Sequence, residues 1–213
     1  MDEPLIPRFL MDYIDNLVPA RPPEMQVMEA YAQKINFPIV GPASGFLCYQ
    51  VARMIGARRI FEMGSGYGYS TAWFAKAVTE NGGGEVFHVV WDEELSLEAH
   101  QHLNALGYNG MIRYHVGEAV QTLRETPGFF DLIFNDINKE GYAASLPVIS
   151  GKLRPGGVLI VDNMLWSGRV FDPRDKTPAT TSIRKLTDLL THSPDWIVSL
   201  VPVRDGVVLA YKK

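Results

Sequence analysis

The chain has 213 residues, 46% hydrophobic and 21% charged, with a net charge of −4 and a single cysteine, Cys48. Such a composition supports one generous core without disulfides and offers no basic run to draw nucleic acid over long range, leaving room only for a structured RNA on a local patch. No apolar run approaches the ~20 residues that span a bilayer, the acidic start MDEPLIPRFLMDYIDNL lacks the basic region of a secretory signal, and one buried-type cysteine fits a reducing, cytoplasmic setting.

The first third reads as helical. Apolar residues recur at helical spacing in FLMDYIDNLV, EMQVMEAYAQKI and SGFLCYQVARMIGA, separated by ARPPE and NFPIVGP. From Arg58 the pattern alternates. RRIFEMG reads as a strand, STAWFAKAVTE as a helix closed by NGGG, EVFHVV as a strand, and LSLEAHQHLNALG as a helix. MIRYHVG and EAVQTLRET repeat the pair, as do FFDLIFND and YAASLPVISGKL, where Pro147 is expected near the first helical turn. GGVLIVDN is a fifth strand, the loop WSGRVFDPRDKTP leads to the helix ATTSIRKLTDLLTH, and DWIVSLVPV–RDG–VVLAYKK is a hairpin. The five histidines form no ligand-spaced cluster, and His100 and His102 are expected on a solvated helix face.

This order predicts a single α/β domain over residues 1–213, with a helical cap over 1–57 and an α/β core over 58–213. Its sheet is mainly parallel, covered on both faces, with one antiparallel strand from the hairpin. In such sheets ligands bind beyond the carboxyl ends of the strands. The glycine loop, Asp92, Asp136 and Asp162 all follow a strand's last residue and so share one rim.

The loop FEMGSGYGYST sets Gly64, Gly66 and Gly68 between a strand and a helix, allowing close backbone approach and offering free N–H groups to an anion. A dinucleotide fingerprint would want glycine at position 69, where Tyr69 stands. Glu62 would repel a pyrophosphate and welcome a cation, which points to S-adenosylmethionine with its sulfonium and ammonium; its plainer role is to cap or face the helix dipole. Ser70 reads equally as a hydrogen-bond donor to the ligand's carboxylate or as the helix N-cap.

Asp136, Asp162 and Asn163 put two carboxylates and an amide oxygen at the ends of two strands. Hard oxygens without His or Cys suit Mg²⁺ or a similar cation rather than Zn²⁺. Lys139, one helical step from Asp136, is within reach of an acceptor oxygen as a proton acceptor. A phenolic hydroxyl, with its pKa near ~10, needs such help to attack a methyl group at neutral pH. Taken one at a time, these residues also read as helix caps and a surface lysine.

Together FEMGSGYGYSTAWFAKA, FNDINKEGY and GGVLIVDNMLWSGRV resemble the cation-dependent O-methyltransferases of the catechol and caffeoyl-CoA type, including small bacterial members. The resemblance runs from FPIVGPASG to the final hairpin. It implies a Rossmann-like class I methyltransferase fold, a seven-stranded, mostly parallel sheet with extra N-terminal helices, a small aromatic acceptor with vicinal hydroxyls, and a homodimer. Carried over residue by residue, it implies metal ligands Asp136, Asp162 and Asn163 and a catalytic base, Lys139. Cofactor contacts would come from Val40 (through its backbone), Glu62, Gly64, Gly66 and Ser70, with Asp136 adjoining both sets. Trp166 would fall near the acceptor mouth, or serve as a buried or interface aromatic.

Two positions depart from the family pattern. Val90 stands where the family usually has the ribose-binding acid, with Asp92 the candidate substitute, and Asn138 stands where many members have an acid. Other readings of the chain are a methyltransferase for hydroxylated tRNA bases, a nicotinamide-dependent oxidoreductase, and a binding protein that has lost turnover.

Overall fold

The computed structural model describes residues 5–213; the first four residues of the acidic N-terminal stretch, and of the expected cap, lie outside the described residues. Three helices lead the chain: α1 (Arg8–Asn16), α2 (Pro23–Ile35) and α3 (Gly41–Met54). The alternating part follows as β1 (Arg59–Met63), α4 (Tyr69–Glu80), β2 (Glu85–Val90), α5 (Glu93–Ala105), β3 (Ile112–Val116) and α6 (Ala119–Glu125). It continues through β4 (Phe130–Asn135), α7 (Tyr142–Lys152), β5 (Leu153–Val161), α8 (Pro178–Thr191), β6 (Trp196–Val201) and β7 (Val207–Lys212).

The strands form one seven-stranded sheet in the order β3-β2-β1-β4-β5-β7-β6. The pairs from β3 to β5 are parallel, and β7 runs antiparallel to both β5 and β6. Period-two alternation sends each strand's side chains to two different cores. Ile60, Val86, Leu132, Phe134 and Ile160 join α3, α4 and α5 on one face. Phe61, Val89, Ile133, Leu159 and Val161 join α6, α7 and α8 on the other. Strands buried on both faces read as continuous apolar runs, which is why they were legible. The strand order reverses between β1 and β4, and the crevice at that switch opens above their carboxyl ends.

The helical cap belongs to the same body as the sheet, since Met25 and Met28 of α2 and Cys48 and Val51 of α3 share the α4-side core. Cys48 is fully buried, and burial pushes its thiol well up.

Two expectations need correction. Pro147 lies in the middle of α7 rather than near its first turn, because the helix begins at Tyr142 and that turn is complete before Pro147 is reached. One backbone bond is forgone there, while buried Tyr142, Leu146 and Ile149 hold the helix in place. His102 is not on a solvated face: α2 folds back over α5, and His102 Nδ1 lies 2.6 Å from Glu24 Oε1. His100 does remain exposed, stacked on Tyr114.

The cap is seated through one close approach. A Cβ on Gly45 of α3 would lie 2.2 Å from Nε1 of Trp73 on α4, and Trp73 is only 3% exposed. Gly45→Ala therefore forces the indole aside. After the helical gain from alanine, a net loss of about 1–2 kcal/mol is expected, seen as a melting temperature lowered by several degrees. An unchanged melting temperature would show that α3 is not packed this closely on α4.

Candidate active site

A cleft of about 750 Å³ lies over the carboxyl ends of β1, β2, β4 and β5. Its wall includes Val40, Gly64, Gly66, Ser70, Asp92, Asp136, Asn138, Lys139, Asp162, Asn163 and Trp166. One rim thus collects the expected site residues, apart from Glu62.

The glycine loop is fastened from below. Gly64 N–H and Ser65 N–H donate to the Val89 carbonyl, and Ser65 Oγ accepts from Val89 N–H at 2.9 Å. Gly64 has φ 89°, and a Cβ there would lie 2.5 Å from the Asp136 carbonyl oxygen, so only glycine lets the loop cross β4's end. Ser70 is the second residue of α4, whose N-cap is Gly68, so its N-cap reading is replaced by a place in the first turn.

Glu62 sits beneath the loop and is fully buried. Thr71 Oγ1 donates to its Oε2 at 2.5 Å and lies 3.0 Å from His88 Nδ1, while Glu62 Oε1 has no partner. Since the threonine proton goes to Glu62, His88 Nδ1 is the donor in the second bond. Burial raises Glu62 to about 7 against the hydrogen bonds it accepts, and burial lowers His88 to about 3. His88 therefore stays neutral and leaves the glutamate's charge uncompensated.

On the β2 side, Val90 is buried on the cleft wall and Trp91 is 67% exposed beside it. Asp92 lines the cleft but is the N-cap of α5, its Oδ1 accepting from Glu94 and Leu95 N–H. One of its oxygens is committed to the helix, so it faces the cleft with less than a whole carboxylate.

The opposite side holds the acids. Asp136 N–H donates to Met63 O at 2.9 Å and Asp162 N–H to Asn135 O at 3.2 Å, which extends the parallel ladder just past the strands and sets the two side chains together. Tyr142 Oη donates beneath them to the Asp162 carbonyl at 3.0 Å. Asp162 is 4% exposed. Burial and then the charge of Asp136 raise it to about 7. Asp136 is also raised by burial, opposed by Lys139, whose Nζ donates to its Oδ1 at 2.5 Å.

Asn163 completes the group. Its amide nitrogen donates to Asp205 Oδ2 at 3.3 Å, and a carboxylate can only accept, which fixes the amide's orientation and leaves its oxygen available. Among the described residues no three His, Cys, Asp or Glu side chains cluster for a metal; the third donor here is an amide. Two adjacent carboxylates, both raised by burial, and an oriented amide oxygen fit a hard dication.

Asp205 and Arg204 escaped the sequence reading, which saw RDG only as a turn. The signal was in the topology: β7 runs antiparallel beside β5, pairing Val208 with Val161, so the β6–β7 turn must land on the ligand rim.

Residues 24–213 match the family model described as O-methyltransferase. The chain is 29% identical over 183 residues to a catechol O-methyltransferase of Niastella koreensis, covering 82% of each. It is 27% identical to a catechol O-methyltransferase of Mycobacterium tuberculosis, over 90% of this chain and 88% of the other. Among solved structures, the O-methyltransferase of Bacillus cereus in complex with SAH superposes with a TM-score of 0.87 at 25% identity, covering 96% of this chain and 97% of that one. TomG of Streptomyces achromogenes, an O-methyltransferase in complex with SAM, gives 0.86 at 25% identity, with 96% of each covered.

The raised acids fix a pH dependence. The folded chain keeps a proton on Asp162 that the unfolded chain releases near pH ~4, so without a cation its stability falls as pH rises from ~4 to about 7. A dication bound to the ionised pair reverses that loss. Millimolar Mg²⁺ is therefore expected to raise the melting temperature near pH ~8 and much less near pH ~5. Asp162→Asn should raise the cation-free melting temperature near pH ~8 and remove the Mg²⁺ gain. Equal gains at both pH values, or a gain kept in Asp162→Asn, would exclude this cation site.

Proposed function

The chain belongs to the O-methyltransferase family, and from that premise we propose that it moves the methyl group of S-adenosylmethionine onto one oxygen of a catechol-like acceptor, with a divalent cation at Asp136, Asp162 and Asn163. The observation that carries the reading is the pairing, in one cleft, of a glycine loop over a buried acid with two carboxylates both raised by burial, Asp162 also by the charge of Asp136. Family membership sets aside the nicotinamide-dependent reading of the glycine loop.

The cofactor would supply an electrophilic methyl group, and the cation would lower the pKa of an acceptor hydroxyl. The chain does the rest by position and charge. Gly64 and Gly66 let a ligand approach the backbone, and the N-terminus of α4 with Ser70 suits a carboxylate. The unpartnered Glu62 Oε1 suits an ammonium entering from above the loop. Asp136, Asp162 and Asn163 would hold the cation, which would supply a positive charge to the acceptor's vicinal oxygens.

Lys139 is the proton acceptor in this reading. Its Nζ donates to Asp136 Oδ1 at 2.5 Å, which keeps the amine at the acid pair, where an acceptor hydroxyl held by a cation would lie. Trp166 lines the cleft beside Asn163 and offers an aromatic wall to an aromatic ring.

A homodimer fits the α1 side of the molecule. No residue of α1 is buried, and exposed Phe9, Tyr13 and Leu17 lie on a helix whose Ile14 and Leu17 also line an apolar groove of about 360 Å³.

The test is methyl transfer to catechol, followed by product mass, with cofactor binding measured by calorimetry. EDTA should abolish transfer and Mg²⁺ restore it. Lys139→Ala should lower kcat by about 10²–10⁴-fold while S-adenosylhomocysteine still binds. Full activity in EDTA, or in Lys139→Ala, would overturn the mechanism.

A further inference from the structure

Two basic residues line the cleft, Lys139 and Arg204. Lys139 is paired with Asp136. Among the described residues, no carboxylate oxygen lies within 4.0 Å of the Arg204 side chain, so it is the cleft's unpaired cation.

Its placement is held from both ends. Arg204 has φ 51°, the left-handed region that an arginine rarely occupies, and among the described residues no other charged side chain does so. Asp205, next in the chain, holds that backbone down. Its carboxylate accepts from Ser167 N–H at 2.6 Å and from Asn163, and its carbonyl accepts from Leu165 N–H at 2.8 Å. At the far end, the Arg204 Nη1 donates to the carbonyl of Ile39, beside Val40 on the cleft wall. A guanidinium has five donors in a planar fork, and this bond uses one. Strained backbone held by its surroundings is characteristic of functional positions.

Arg204 lines the same cleft as Asp136 and Asp162, and its chain neighbour Asp205 holds Asn163, so it stands on the acid-pair side of the cleft, where the acceptor's hydroxyls would be addressed. It is nonetheless bonded to neither aspartate of the pair. The neighbouring wall is neutral at Asn138, and Glu140 is the exposed acid nearby.

We propose that Arg204 is an acceptor-recognition residue, whose guanidinium receives an anionic substituent, a carboxylate above all, on the ring whose hydroxyls address Asp136, Asp162 and Asn163. This rests on the catechol-type reading of the same cleft and names its substrate class: a dihydroxy aromatic acid. A planar fork of N–H donors matches a carboxylate in two parallel bonds, and Arg204 is exposed and so open to one.

The experiment compares 3,4-dihydroxybenzoate with catechol as acceptors for the full-length wild type, Arg204→Gly and Arg204→Lys, in Mg²⁺. Glycine suits φ 51°, so the first variant should fold, as thermal unfolding will show. The wild type should favour the acid in kcat/KM. That preference should fall roughly 10- to 100-fold in Arg204→Gly, mainly through KM, with partial recovery in Arg204→Lys. A preference unchanged by Arg204→Gly, or an equal loss on both acceptors, would overturn the proposal and leave the methyltransferase reading standing. If the wild type methylates neither acceptor, that parent reading fails instead, and calorimetric binding of 3,4-dihydroxybenzoate decides the role of Arg204. Binding weakened at least about tenfold in Arg204→Gly keeps anion recognition, and equal binding rejects it.

Discussion

The site depends on a repulsion that the sheet is stiff enough to hold. β4 and β5 are parallel neighbours, so residues just past their ends are neighbours too, and both are aspartates. Water relieves them only from the cleft side, because Asp162 is 4% exposed and Tyr142 fills the space beneath. Burial and the charge of Asp136 therefore hold Asp162 at about 7. A flexible pair would swing apart. These two are fixed by backbone bonds continuing the ladder, and so keep an affinity for positive charge that Lys139 satisfies in part.

The other half of the cleft is built on the same principle with different parts. Glu62 sits between Phe134 and His88 in the sheet, and His88 is kept neutral by burial, at about 3. Thr71 spends its one proton on Glu62, and Oε1 is left over. Both halves thus carry uncompensated negative potential under a rim open to ligand. A sulfonium cofactor carrying an ammonium and a hard dication are complementary to those halves in charge. On the β2 side the wall is mainly apolar: Val90 is buried in it, Trp91 is exposed beside it, and Asp92 keeps only its Oδ2 free of the α5 cap.

How much of this was legible follows from range. Strands, helices, the glycine loop and the strand-end acids are encoded within a dozen residues each, and a parallel sheet then forces the acids onto one rim. Pro147 was misplaced because helix propensity reads it as a starter, whereas α7 begins at Tyr142, a full turn ahead of it, and is held by tertiary packing of Tyr142. His102 was misread because its partner, Glu24, lies 78 residues away on a helix whose docking no local pattern announces. Asp205 and Arg204 lay hidden for the same reason. Their meaning arises only when β7 is inserted antiparallel between β5 and β6.

That insertion also explains where the chain tolerates strain. Five non-glycine residues among those described have positive φ, and four of them, Asn163, Trp166, Ser167 and Arg204, lie in the segment after β5 or in the β6–β7 turn. A left-handed L-residue costs roughly 1–2 kcal/mol, so such a concentration persists only where the surroundings over-determine the backbone. Here they do: Met164 N–H donates to Gly206 O at 2.9 Å and Leu165 N–H to Asp205 O, and the Asp205 carboxylate accepts from the Asn163 amide and from Ser167 N–H. The clamp joins the amide ligand candidate, the aromatic wall and the guanidinium into one rigid piece. Methyl transfer needs its reactants held in line, and small misplacements are costly. The acceptor half of the cleft is accordingly rigid by construction, with its shape set by a hairpin that also reaches, through Arg204, the Ile39 carbonyl beside Val40.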